Sequence, residues 1–263
     1  MLPALFVSHG APTFPLSDAP ARHFLEQLGA DLVERPRAIL VISAHWETRV
    51  PSVTASAVNE TIHDFTGFPA ELYAIRYAAP GSAWLVDRVA GLIDAAGSAV
   101  SRVAGRGLDH GAWVPLRLVY PDAEIPVVQL SVQTALGPGY HYRLGRLLAP
   151  LREEGVLIVG SGSFTHDLSS FREYYNALNA PAPAWVDEFA DWMTDAIGEG
   201  RVEDLLAYRE RAPHAVRNHP TEEHLLPLFV ALGAGSGGRS EHLHASTTHG
   251  VLRMDAFAFG EAA

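Results

Sequence analysis

The sequence predicts an α/β fold, a largely parallel central sheet flanked by helices. Two observations carry this reading. Short apolar runs alternate along the chain with longer amphipathic stretches, the order expected of strands and helices taking turns in one layered structure. Three of the runs, 4–8, 38–43 and 156–160, are apolar almost without interruption, as strands are when helices cover both faces.

Taken in order, "ALFVS" (4–8) opens the sheet and a helix is expected over 19–33. "AILVIS" (38–43) is a second buried strand, followed by a strand at 51–57. A helix over 82–96 stops at Gly97, where a C-terminal cap belongs. A strand at 99–103, a helix over 112–119, a strand at 126–131 and a helix over 139–154 come next, the last closed by Gly155. "VLIVG" (156–160) is another buried strand, and helices follow over 183–197, 201–211 and 222–232. Thr221 is placed to cap the last of these, which would set Glu222, Glu223 and His224 in its first turn. Acidic residues there would complement the helix dipole. "EHLHAST" and "HGVLRMDAFAF" read as strands joined at Thr247-Thr248-His249-Gly250, a C-terminal hairpin at the sheet's edge. "NAPAPAW" (179–185) and "GAGSGGRS" (233–240) are too short to link domains, so residues 1–263 are expected to form one domain.

Composition narrows the chemistry. The chain is 48% hydrophobic and 19% charged with a net charge of −11, which argues against nucleic acid or an anionic membrane as partner. It contains no cysteine, and every basic residue other than histidine is arginine. Disulfides, thiolate ligands, Schiff bases and a P-loop lysine are therefore excluded. No apolar stretch reaches the ~18 residues of a membrane span, and no secretory leader pattern opens the sequence, so a cytoplasmic location is expected. What remains for chemistry is carboxylates, hydroxyls, arginine, a bound metal and 13 histidines.

Three histidines follow apolar runs: His9 after the first, His45 after the second, and His166 after "VLIVGSGSFT". In an open α/β sheet, ligands gather outside the carboxyl ends of the strands, so these imidazoles should converge. Burying several in one place is costly unless they share a partner, and a metal is such a partner. His224 can point inward from a helix start, and His110 sits in a tight Asp-His-Gly turn where Asp109 could fix its tautomer. "IHDFTGFP" (62–69) sets His63 beside Phe65 and Phe68, one wall for a planar ligand. Trp46 and Trp113 are further candidates for that wall. His23, His141, His214, His242 and His244 are read as surface or structural, and His219 and His249 stay undecided. The glycine spacing of "GSGSF" (160–164) fits neither a nucleophile elbow nor a dinucleotide fingerprint. Residues alone thus reach a mononuclear, histidine-rich metal site.

Seven motifs in order, "SHGAP", "SAHWE", "IHDFTGFP", "LDHGAWVPL", "PVVQLSV", "FTHDL" and "PTEEHLLPL", make the chain resemble the DODA-type extradiol dioxygenases. These are the 4,5-DOPA dioxygenase-like branch of the class III, LigB-like superfamily, and the resemblance runs over residues 3 to 258. It implies that His9, His45 and His224 hold one divalent metal, and that His166 is a fourth ligand or the catalytic acid/base. It implies that His110 hydrogen-bonds the substrate, a small aromatic diol opened with O2. A chelating diol needs two adjacent open positions and O2 a third, which three facial protein ligands leave on an octahedral ion. The better-known class III site has two histidines and a carboxylate. Here His224 stands in the third place, with Glu222 or Glu223 as the minor alternative. An all-histidine set also suits Zn(II), so Fe(II) is expected for activity and zinc as the metal found. A zinc hydrolase on the same scaffold and a non-catalytic metal-binding protein are the competing readings. The diol's identity and the oligomeric state, a homo-oligomer included, stay open.

Overall fold

The computed structural model describes residues 1–32 and 34–260. The final residue of the helix expected over 19–33 and residues 261–263 of the expected domain lie outside it. One eight-stranded sheet organises the chain. Its strands are β1 (Ala4–Ser8), β2 (Ala38–Glu47), β3 (Ser52–Thr54), β4 (Ser101–Val103), β5 (Val127–Val132), β6 (Val156–Gly162), β7 (Ser240–His244) and β10 (Ala256–Phe259), in the order β4-β3-β5-β2-β6-β1-β10-β7. Strands β5, β2, β6 and β1 are mutually parallel, while β3 and β10 run antiparallel to their central neighbours. The parallel centre expected from the sequence is present, with antiparallel pairing toward both edges.

Alternate residues of the central strands enter two cores. Ala4, Phe6, Leu40 and Ile42 join one with residues of α3 (Ala83–Ala95), α5 (Gly137–Leu148), α7 (Ala184–Gly198) and α11 (Leu226–Ala234). Leu5, Val7, Ile39 and Val41 join the other with residues of α1 (Pro20–Asp31) and α4 (His110–Val119). Burial on both faces explains the uninterrupted apolar runs, and each fully buried side chain such as Phe6 contributes about 1.5–3 kcal/mol. The remaining helices are short: α2 (Ala70–Ala74), α6 (Leu168–Tyr174), α8 (Val202–Leu206), α9 (Tyr208–Arg211) and α10 (Ala215–Asn218). No described helix is long and apolar enough to cross a membrane.

Several boundaries differ from the sequence reading. The helix expected over 201–211 breaks at Ala207 into α8 and α9, with Tyr208 turned inward to donate to Glu222 Oε1 at 3.0 Å. The helix expected over 222–232 starts only at Leu226 and lacks a side-chain cap. Pro227 gives the reason: it is tolerated in a first turn but would lack its N–H and clash in a helix interior. Thr221 therefore caps nothing and donates instead to Glu223 Oε1. The expected hairpin is two-tiered. β10 pairs with β7, and between them β8 (Thr247–Thr248) and β9 (Leu252–Arg253) form a separate ribbon that turns at His249 and Gly250, both at positive φ.

Candidate metal centre

Because β1, β2, β5 and β6 are parallel, their carboxyl ends open on one side of the sheet. His9 follows β1 directly. His45 lies within β2 rather than beyond it, because the strand continues to Glu47 through a register irregularity after Ile42. His224 comes from the segment ahead of α11, held where Ser163 N donates to its carbonyl at 2.9 Å. That approach depends on Gly162, where an added Cβ would meet the His224 carbonyl. Gly111 does the same for the opposite wall, since a Cβ there would press on Ser43 Oγ and on His45 Cδ2 at 2.9 Å.

The three rings present Nε2 to one another: His45 Nε2 is 3.0 Å from His9 Nε2 and 3.3 Å from His224 Nε2. One ligand atom from each of the three can be chosen with all separations within 4.8 Å. Each ring has an acceptor beside its other nitrogen. His9 Nδ1 is 3.1 Å from Ser161 Oγ, whose own proton goes to the Gly111 carbonyl, so the imidazole must donate. His224 Nδ1 lies 2.9 Å from Glu223 Oε1, and His45 Nδ1 lies 3.8 Å from Asp64 Oδ2. Nδ1–H tautomers leave three Nε2 lone pairs facing a common centre, an arrangement that is repulsive unless a cation sits among them. Electrostatics agree. Burial first, then the neighbouring histidines, holds His9 and His224 neutral well below the usual imidazole range. His45 is lowered to about 3 by burial and then His110, against the pull of Asp64. Neutral imidazole is the form that binds metals, and the donor set fits a divalent ion.

His166 and His110 complete the rim. The His166 ring stacks on His224 with centroids 3.4 Å apart and planes 12° apart. Burial lowers its pKa to about 4, with His110 adding to the effect and Asp167 opposing it. Among the described residues no protein group hydrogen-bonds its ring. His110 is the first residue of α4, its ring centroid 3.9 Å from that of His45. Its tautomer partner differs from the one expected. Asp109 turns away to cap α4 through Ala112 N, and also accepts from Ser43, Arg106 and Gln129. Asp64 takes the His110 ring instead, with Oδ2 3.0 Å from Nδ1 and Oδ1 accepting from the backbone N–H at 2.9 Å. Burial would raise the Asp64 pKa, but the His110 contacts outweigh it and hold the carboxyl at about 2.

These histidines line a cavity of about 290 Å³ with Phe68, Phe171, Leu168 and Leu252 on its outer wall. Of the five aromatic residues expected to wall it, only Phe68 does so. Trp113 is fully buried on the inner face of α4 and donates to the Ile62 carbonyl. His63 is paired with the Ile75 carbonyl, and Trp46 is packed under Arg106. Phe65 stands one layer back, edge-on to His110. The sequence reading passed over Asp64, Phe171 and Leu252. Asp64 was visible as a carboxylate within "IHDFTGFP", but nothing local ties it to a ring 46 residues away. His219, undecided from sequence, is fully buried and paired with the Phe164 carbonyl.

Comparison with known proteins gives four findings. A family model described as the catalytic LigB subunit of aromatic ring-opening dioxygenase matches residues 3–254. A protein named 4,5-DOPA dioxygenase extradiol from Beta vulgaris is 45% identical over 258 residues, 97% of this chain and 95% of its own. A protein of the same name from Escherichia coli K12 is 40% identical over 239 residues, 90% of this chain and 86% of its own. Among solved structures, an uncharacterized protein from Escherichia coli K12 matches with a TM-score of 0.79 at 33% identity, over 99% of this chain and 100% of that one.

Proposed function

The chain belongs to the LigB family of aromatic ring-opening dioxygenases, and from that membership we propose that it opens ortho-diols of the DOPA kind with Fe(II) and O2. The observation that carries the site assignment is the ring of three Nε2 atoms, with an acceptor in hydrogen-bond range of Nδ1 on His9 and His224. His9, His45 and His224 would hold the ion. Bound there, Fe(II) supplies the one-electron chemistry by which O2 can react with a diol, which zinc cannot.

The chain's own residues do the rest. His166, neutral near pH 7 and without a protein partner on its ring, accepts a proton from one hydroxyl of the incoming diol. His110, whose Nδ1 lies 3.0 Å from Asp64 Oδ2, faces the other hydroxyl. The apolar outer wall sheds water from the ring and limits side reactions. In the reaction, the ring bond beside the diol breaks, and its two carbons leave as a carboxylate and an aldehyde, taking one oxygen atom each. His166 serves as acid/base in this reading, although its ring, stacked on His224, also gathers with Glu223 and His224.

The test is oxygen uptake by metal-free protein reconstituted anaerobically with Fe(II) and offered DOPA, caffeate and catechol. One O2 per yellow product is expected, lost with Zn(II) and reduced at least about 100-fold in His166→Ala without loss of bound metal. Absence of uptake with every diol would overturn the proposal, and loss of bound metal in His166→Ala would make that residue a ligand.

A further inference from the structure

The inner end of the cavity is built of imidazoles, and its outer end has no cation at all. Pro12, Phe68, Leu168, Phe171 and Leu252 form the outer wall. The chain contains no lysine, and among the described residues no arginine lines the cavity. Arg76, Arg106 and Arg217 are engaged elsewhere. Arg106 pairs with Asp109 and lies over Trp46 at 4.5 Å. Arg76 folds back onto the Tyr73 and Ile75 carbonyls. Arg217 covers Trp185 at 3.9 Å. The hydroxyl of Ser163, which also lines the cavity, is donated to the Thr165 carbonyl at 2.7 Å. Among the described residues Glu223, whose Oε1 lies at His224 Nδ1, is the only carboxylate on the lining.

We infer that the site selects ortho-diols whose ring substituent is apolar or cationic and discriminates against those with a carboxylate on the ring. This rests on the ring-opening function proposed above and adds the chemistry of the substituent. With the two diol oxygens held at the histidine end, a ring carboxylate lies against the apolar wall. There it loses hydration without gaining a cation or a donor, an uncompensated burial of charge. A methyl group gains contact at the same place, and an ammonium group gains the field of Glu223. The volume of about 290 Å³ is at the small end for ligand sites and suits one ring with a short substituent. Leu168 is 53% exposed at the mouth, so a longer side chain passes it and reaches water. The penalty on a carboxylate therefore shrinks as its tether lengthens, which leaves DOPA acceptable and makes protocatechuate the poor substrate.

The experiment is calorimetric binding of 4-methylcatechol, dopamine, DOPA and protocatechuate to Zn(II)-loaded protein, paired with kcat/KM for the same diols on the Fe(II) form. At least about tenfold weaker binding of protocatechuate than of 4-methylcatechol or dopamine is expected, with DOPA between. Leu168→Arg, a change at an exposed position, should narrow that gap by raising the affinity for protocatechuate. Equal or tighter binding of protocatechuate overturns the inference, and if all four diols are opened the ring-opening function stands without it. Failure of every diol both to bind and to consume oxygen overturns both.

Discussion

Replacing Asp64 with asparagine keeps the size of the neighbour of His110 but removes the negative charge 3.0 Å from its Nδ1. The expected result is a fall in kcat of about 10–100-fold, with KM changed far less and the fold intact by circular dichroism. Glu223→Gln acts on a different ring. It weakens the hold on His224 Nδ1 and should lower metal affinity by about 10–100-fold, measured by competition with a chelator. A Glu223→Gln protein that binds metal as tightly as the parent would refute this role. At this scale the sequence exposes the imidazoles but not their supports. His9, His45 and His224 advertise themselves by following apolar runs or preceding one. Asp64 looks like an ordinary loop acid because the ring it serves is brought to it by tertiary structure, and Glu223, next to His224 in sequence, reads as a helix-dipole acid until α11 is seen to start only at Leu226.

Elements place those residues through close backbone approach. The pair Gly160 and Gly162 in "GSGSF", which matches no nucleotide or nucleophile motif, lets the segment from His224 to Pro227 lie directly on β6. Gly162→Ala should therefore cost about 1–3 kcal/mol of stability by overpacking, read from chemical denaturation, and should also weaken metal binding by displacing His224. Normal metal affinity in a destabilised Gly162→Ala would mean that the His224 segment relaxes independently of the site. The buried strands were legible because burial on both faces writes itself into composition. The start of α11 was not, since the acidic run before it imitates a capped first turn until Pro227 is weighed. Trp113 was read as a wall for the same kind of reason: α4 does approach the site, but it turns His110 toward the cavity and Trp113 into the core.

Across the whole molecule, neutral buried histidines make stability depend on pH. Burial pulls His141 to about 4 and His219 to about 3, each against a hydrogen bond to a backbone carbonyl. The unfolded chain's histidines take protons near 6.5, so below that pH the unfolded state binds more protons than the folded one. Stability is thus fully present above pH 6.5 and falls as the pH is lowered toward the folded values. Thermal melts of metal-free protein should show Tm dropping from pH 7 to pH 5, while metal affinity should hold over the same range, because the three ligand histidines stay neutral in the fold. A flat Tm would show that the two rings are charged in the fold.

The sheet order carries a consequence for synthesis. Strand β1 is flanked by β6 and β10, so it finds its partners only when residues 156–162 and 256–259 have been made. Domains generally fold as units as the chain grows, and the sheet of this one must wait until β10 has been made. His9 and His45 emerge long before His224, and the cavity between them has no third wall until then. The metal site proposed above accordingly cannot be completed before residue 224 has been made, so loading waits on more than the half of the chain that carries His9 and His45.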